Sequence, residues 1–105
     1  MFKPITLFTT LALIGTAVSA ADWRLLANKP SGQSIAAFQA DFETTCPIFD
    51  TSNPDGARAT FFRAGDFQGK NTDTQALVFC TYNAADGSVY AVTRELVESL
   101  GGSIA

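Results

Sequence analysis

The chain has 105 residues, with ten acidic against seven basic side chains, a net charge of −3 at pH 7 and no histidine. That length carries one small domain, and the missing histidine removes Ser-His-Asp and Cys-His catalysis together with every histidine metal site. The acidic balance argues against nucleic-acid binding and against electrostatic docking on anionic lipid, both of which need clustered positive charge.

The first twenty residues read as a secretory address. Lys3 gives a short positive start, Ile5 to Val18 is uncharged and largely apolar, and Val18-Ser19-Ala20 places small residues at the cleavage positions. Asp22 follows as the second residue after the cut, and there is no stop-transfer pattern. Residues 1–20 are therefore expected to be a removed signal peptide, and 21–105 a single exported domain with a charge of −4 and no stable membrane anchor. No cysteine sits at the cleavage site, no paired arginines precede the apolar run, and no N-x-S/T acceptor occurs. A bacterial periplasm or exterior fits best, with a eukaryotic secreted origin left open.

Asp22 to Ala27, with Trp23, Leu25 and Leu26, predicts an N-terminal strand, closed by the turn cluster Asn28-Lys29-Pro30-Ser31-Gly32. Residues 34–46 fit two patterns. As a helix, Ser34 caps it and Ile35, Phe38, Phe42 and Cys46 form one stripe. As a strand, Phe38, Ala40, Phe42 and Cys46 face one way and Gln39, Asp41, Glu43 and Thr45 the other. Ala36, Ala37, Gln39, Ala40 and Glu43 are helix formers, which favours the helix, ended by Pro47.

Asp50 to Gly56 resembles a calcium loop at three positions, Asn53, Asp55 and Gly56. In that register the first ligand is Thr51 and the twelfth is Phe62, where a bidentate Glu is required. A turn held by Asx side chains is the better reading. Ala57 to Ala64 predicts a strand. The Gly65–Thr74 connection contains Gly65-Asp66-Phe67-Gln68-Gly69-Lys70, which lacks the spacing and Ser/Thr of a phosphate loop. Its Asp66, Lys70 and Asp73 are the candidate recognition residues, because function concentrates on loops held by a scaffold.

Gln75 to Asn83 and Ser88 to Arg94 predict a hairpin around Ala84-Ala85-Asp86-Gly87. A four-residue loop places Tyr82 opposite Val89, Cys80 opposite Ala91 and Val78 opposite Thr93, with Tyr90 on the other face beside Leu77, Phe79 and Thr81. The first strand is apolar on both faces and is expected to be central. Thr93 to Leu100 either continues the second strand or forms a short helix, capped by Thr93 and stopped at Gly101.

Cys46 and Cys80 are the only cysteines. Without a C-x-x-C spacing or further ligands, they are expected to form a structural disulfide, worth about 3–4 kcal/mol for a loop of roughly 35 residues. The fold expected is α+β: a small antiparallel sheet of three to five strands, one packed helix and one disulfide, with an all-β sandwich or partly open barrel as the alternative. No catalytic, cofactor or metal residues stand out. The function expected is a non-catalytic binding or accessory module of the cell envelope, recognising a protein or ligand and possessing the charge to inhibit a cationic partner. The alternative is a small carboxylate-dependent hydrolase or lyase using acids or Tyr82 and Tyr90.

Overall fold

The computed structural model describes residues 22–105; the expected signal peptide lies outside the described residues. Five strands and two helices follow in the order β1 (Leu25–Asn28), α1 (Ile35–Phe49), β2 (Ala59–Ala64), β3 (Gln75–Asn83), β4 (Val89–Ala91), α2 (Thr93–Ser99) and β5 (Ser103–Ile104). All pairings are antiparallel. This is the expected α+β fold, and no helix of the described residues is long and apolar enough to cross a membrane.

The sheet is built around β3. One side of β3 pairs with β2 over Ala76–Thr81, and the other pairs with β1 over Gln75–Val78 and then with β4 over Thr81–Asn83. Where β1 gives way to β4, the Cys80 N–H donates to Thr93 Oγ1 at 3.0 Å and the Cys80 carbonyl accepts from Val92 N at 2.9 Å. The ladder is thereby completed by a side chain. Beyond β1, the two-residue β5 forms the far edge.

Both helices lie on one face. Ala76, Val78, Cys80 and Tyr82 of β3 meet Phe38, Phe42 and Cys46 of α1 and Leu96 and Val97 of α2 there, all fully buried. Ser34 caps α1 as its composition predicts, its Oγ accepting from Ala37 N at 3.0 Å. Phe38, Phe42 and Phe62 pack edge-on or tilted, with centroids 5.5 to 6.4 Å apart. Each such pair adds about 0.5–1.5 kcal/mol beyond the area it buries. On the other face Leu77 and Thr81 are also fully buried, and Phe79 stacks on Phe61 with centroids 5.2 Å apart.

Cys46 and Cys80 form the expected disulfide, their Cα atoms 5.8 Å apart. The helix does not end at Pro47, as predicted, but runs to Phe49. Pro47 is exposed and so is Glu43, whose carbonyl loses its helical partner towards water. Cys46, the residue before the proline, is held in the helix by its bridge to β3.

The C-terminal segment resolves as a helix. Thr93 does not cap it; its hydroxyl is taken by β3, and the cap position falls to Val92. The stop is the predicted one: Gly101 has φ 94°, with Gly101 N donating to Glu98 O and Gly102 N to Val97 O, each at 3.0 Å. Gly102 then lets the chain press against β1. A Cβ there would stand 2.6 Å from the Asn28 carbonyl oxygen and 3.1 Å from Val97 Cγ1. Gly102→Ala should therefore separate β5 from β1 and cost about 1–2 kcal/mol, read as a lowered urea midpoint.

Candidate functional site

The β3–β4 hairpin differs from its predicted register by one residue, and that difference creates the site. Ala84 N donates to Ser88 O at 2.8 Å, so the loop is Ala85-Asp86-Gly87, with Gly87 at φ 90°. A three-residue loop with a left-handed glycine replaces the four-residue one expected. Tyr82 now lies opposite Tyr90, and Thr81 opposite Ala91. Both tyrosines share the helix-side face, their rings stacked with centroids 5.7 Å apart.

The two phenols reach the segment that leaves α1. The Tyr82 hydroxyl donates to the Cys46 carbonyl and accepts from Asp50 N at 3.1 Å. The Tyr90 hydroxyl donates to Asp50 Oδ2 and accepts from Asn53 Nδ2 at 3.3 Å. Asn53 Nδ2 also donates to the Asn83 carbonyl at 2.8 Å. Asx turns complete the loop: Ser52 N donates to Asp50 Oδ1 at 3.1 Å and Asp55 N to Asn53 Oδ1 at 3.2 Å. The calcium-like pattern at Asn53 and Asp55 is therefore used as a turn.

Two adjoining clefts flank this brace. The larger, about 570 Å³, runs between Ser52, Pro54 and Asp55 on one side and Asn83, Ala84 and Tyr90 on the other. The smaller, about 370 Å³, shares Asn53, Pro54 and Asp55 and extends to Asp50, Pro47 and Ile48. No lysine or arginine lines either one. Ile48 is 72 % exposed at the rim, and the Asp55 carboxylate makes no hydrogen bond among the described residues. The walls thus offer apolar surface beside uncompensated negative charge.

The acid–phenol pair braces the segment that leaves α1. Ser52 first, and Tyr90 second, hold the Asp50 carboxyl below the usual carboxylate range. Asp50 in turn pushes the Tyr90 phenol up. Near neutral pH the acid is therefore ionised and the phenol protonated.

The candidate recognition residues sit elsewhere, on the Gly65–Thr74 loop. Asp66 turns inward: Oδ1 accepts from Gln68 N and Lys70 N, each at 2.9 Å, and Oδ2 from Asn71 Nδ2 at 3.0 Å. Lys70 and Asp73 are exposed on the rim. The loop's protruding group is Phe67, 51 % exposed, with the Arg24 guanidinium 5.4 Å from its ring centroid. Asp66 therefore shapes the loop, and Phe67, an aromatic inside a turn-rich run, was the sequence signal for what it displays.

These carboxylates also set an acid limit. Asp50 is held low by the Ser52 hydroxyl, Asp66 by the Lys70 N–H and Asp86 by the Ser88 hydroxyl, each named for its largest cause. A lowered native pKa contributes stability that is complete above the unfolded carboxyl value, about 4, and lost as pH falls through the native value. The melting temperature should be nearly flat from neutral pH down to about 5 and fall below about 4, with amides of the three loops exchanging faster first. A melting temperature unchanged at pH 3 would refute this.

No protein-family model matches the chain, and no curated protein or solved structure is significantly similar to it.

Proposed function

We propose that the chain is a small exported, disulfide-stapled binding module of the cell envelope that engages a cationic protein through the paired clefts beside Asp50 and Asp55. The observation that carries this reading is the cleft lining: two connected recesses with apolar walls at Pro47, Ile48 and Pro54, carboxylates from Asp50 and Asp55, and no basic residue. A lysine or arginine side chain suits such a wall, its aliphatic stem on the prolines and its charge towards the acids. The Tyr82–Tyr90–Asp50–Asn53 brace keeps the recess formed before a partner arrives, which limits the ordering cost of binding. The disulfide suits an oxidising compartment, and the site's fixed protonation states favour recognition over catalysis.

A cationic wall-degrading enzyme is a concrete partner of this kind. Its activity should fall on addition of the domain, and rising salt should relieve the inhibition by screening. Asp55→Asn should weaken the effect roughly two- to fivefold, as befits a rim charge. Full enzyme activity in the presence of excess domain at low salt would remove this version of the proposal.

A further inference from the structure

The outer edge of β2 is an open pairing surface. Gly65 N donates to the Gln75 carbonyl at 2.7 Å, and β2 pairs in continuous register from Ala64 opposite Ala76 to Ala59 opposite Thr81. In an antiparallel ladder, peptide groups turn inward at every second residue. Ala59, Phe61 and Arg63 therefore bond β3, while the N–H and C=O groups of Thr60, Phe62 and Ala64 face away from it. None of those outward groups has a backbone partner among the described residues.

The open segment has defined ends. Arg58 N also donates to the Thr81 carbonyl, at 2.7 Å, so Arg58 and Ala59 together face the single residue Thr81. That bulge bends the strand away at one end. Gly65, at φ 102°, turns the chain at the other. What remains between them is Thr60 to Ala64, whose midpoint is Phe62. On the helix side α1 reaches this strand, the Thr60 hydroxyl donating to Cys46 Sγ at 3.0 Å and Phe62 packing on Phe38 and Phe42. Yet Thr60 is exposed and Phe62 only half-buried, so the outward backbone of the edge stays open.

We infer that this edge pairs with the same edge of a second copy, antiparallel about a two-fold axis at Phe62, joining two sheets into one. The pairing is self-complementary in its hydrogen bonds: Thr60 meets Ala64 of the other copy and Phe62 meets Phe62, all with outward peptide groups. The side chains agree. On the helix side the half-buried Phe62 rings meet at the axis. On the opposite face Arg63 of each copy lies beside Phe61 of the other, twice over, at the closer non-hydrogen-bonded spacing. Moving the axis to Arg63 would set the two arginines against each other, and moving it to Phe61 would draw the bulge into the ladder. This inference does not depend on the cleft reading; its consequence is a particle displaying two clefts.

Sedimentation equilibrium of the purified protein at micromolar to millimolar concentration should give about twice the monomer mass. Amide exchange should slow with concentration at Thr60, Phe62 and Ala64, with no such change at the inward amides of Phe61 and Arg63. Arg63→Glu should weaken the dimer roughly tenfold, from two lost cation–aromatic contacts. Ala64→Pro removes an outward N–H that β3 does not use and should leave a folded monomer. A monomer throughout the concentration range overturns the inference. So does a dimer that survives both substitutions without concentration-dependent protection at the three outward amides. Should Ala64→Pro fail to fold, the exchange pattern of the unaltered protein and the Arg63→Glu mass still decide.

Discussion

Reducing Cys46–Cys80 is expected to destabilise the domain by about 3–4 kcal/mol, enough to leave a substantial unfolded fraction at physiological temperature. The bridge spans 34 residues of sequence, so opening it returns considerable loop-closure entropy to the unfolded chain. In the folded state both sulfurs lie in the fully buried layer where α1 meets β3. α1 has no other covalent tie to the sheet, and its buried stripe is only Phe38, Phe42 and Cys46. A core of this size has little reserve, because a small domain buries a smaller share of its surface than a large one. Replacing both cysteines with alanine should lower the urea midpoint at unchanged slope, and the reduced protein should match that variant. Cys46→Ser alone should be worse than the double alanine variant, because it buries a hydroxyl and leaves a free thiol at Cys80. Equal midpoints for the oxidised and reduced protein would show that packing alone holds α1 in place.

Much of this architecture was readable from local chemistry. Ser34 capping α1, the Phe38–Phe42–Cys46 stripe, the doubly apolar β3 and the disulfide each depend on a residue type at a fixed spacing. What could not be read depended on how distant segments compete for the same groups. Thr93 has the chemistry of a helix cap, yet the gap in the ladder at Cys80 claims its hydroxyl. Pro47 has the chemistry of a helix stop, yet it sits where the lost carbonyl faces water. β5 is only two residues long and exists because Gly102 lets the backbone approach Asn28.

The site itself was hidden by a single residue of register. Counting Ala84 as part of the loop places Tyr90 on the face away from Tyr82 and from Asp50. A strand alternates faces every residue, so a slip of one exchanges them completely. Ala84-Ala85-Asp86-Gly87 fits a three- or a four-residue loop by composition, and only the pairing of Ala84 with Ser88 decides. The candidate loop at Asp66 showed the converse. Asp66 spends its carboxylate on the loop's own backbone and on Asn71, while Phe67 is exposed, as are Lys70 and Asp73.

Tyr82→Phe is the substitution that should link stability to the cleft most directly, costing about 2–3 kcal/mol for one oxygen atom. The ring is fully buried, and phenylalanine fills the same volume, so no cavity opens. The hydroxyl, however, serves two backbone groups at once, the Cys46 carbonyl before Pro47 and the Asp50 N–H at the end of α1. Removing it orphans a donor and an acceptor together, each at about 1–3 kcal/mol when water cannot replace the bond fully. The loss falls where the chain leaves the disulfide and begins the cleft wall. Amides of Ser52 to Gly56 should therefore exchange faster than the global loss of stability predicts, while those of β3 follow it. Tyr90→Phe removes only the contacts to Asp50 and Asn53, which are partly exposed, and should cost less stability while releasing the same loop. If partner binding needs a preformed cleft, both variants should bind more weakly in proportion to that local loosening and not to their melting temperatures. Normal protection of Ser52 to Gly56 in Tyr82→Phe would mean that Tyr90 and Asn53 hold the wall without Tyr82, through their bonds to Asp50 and to the Asn83 carbonyl.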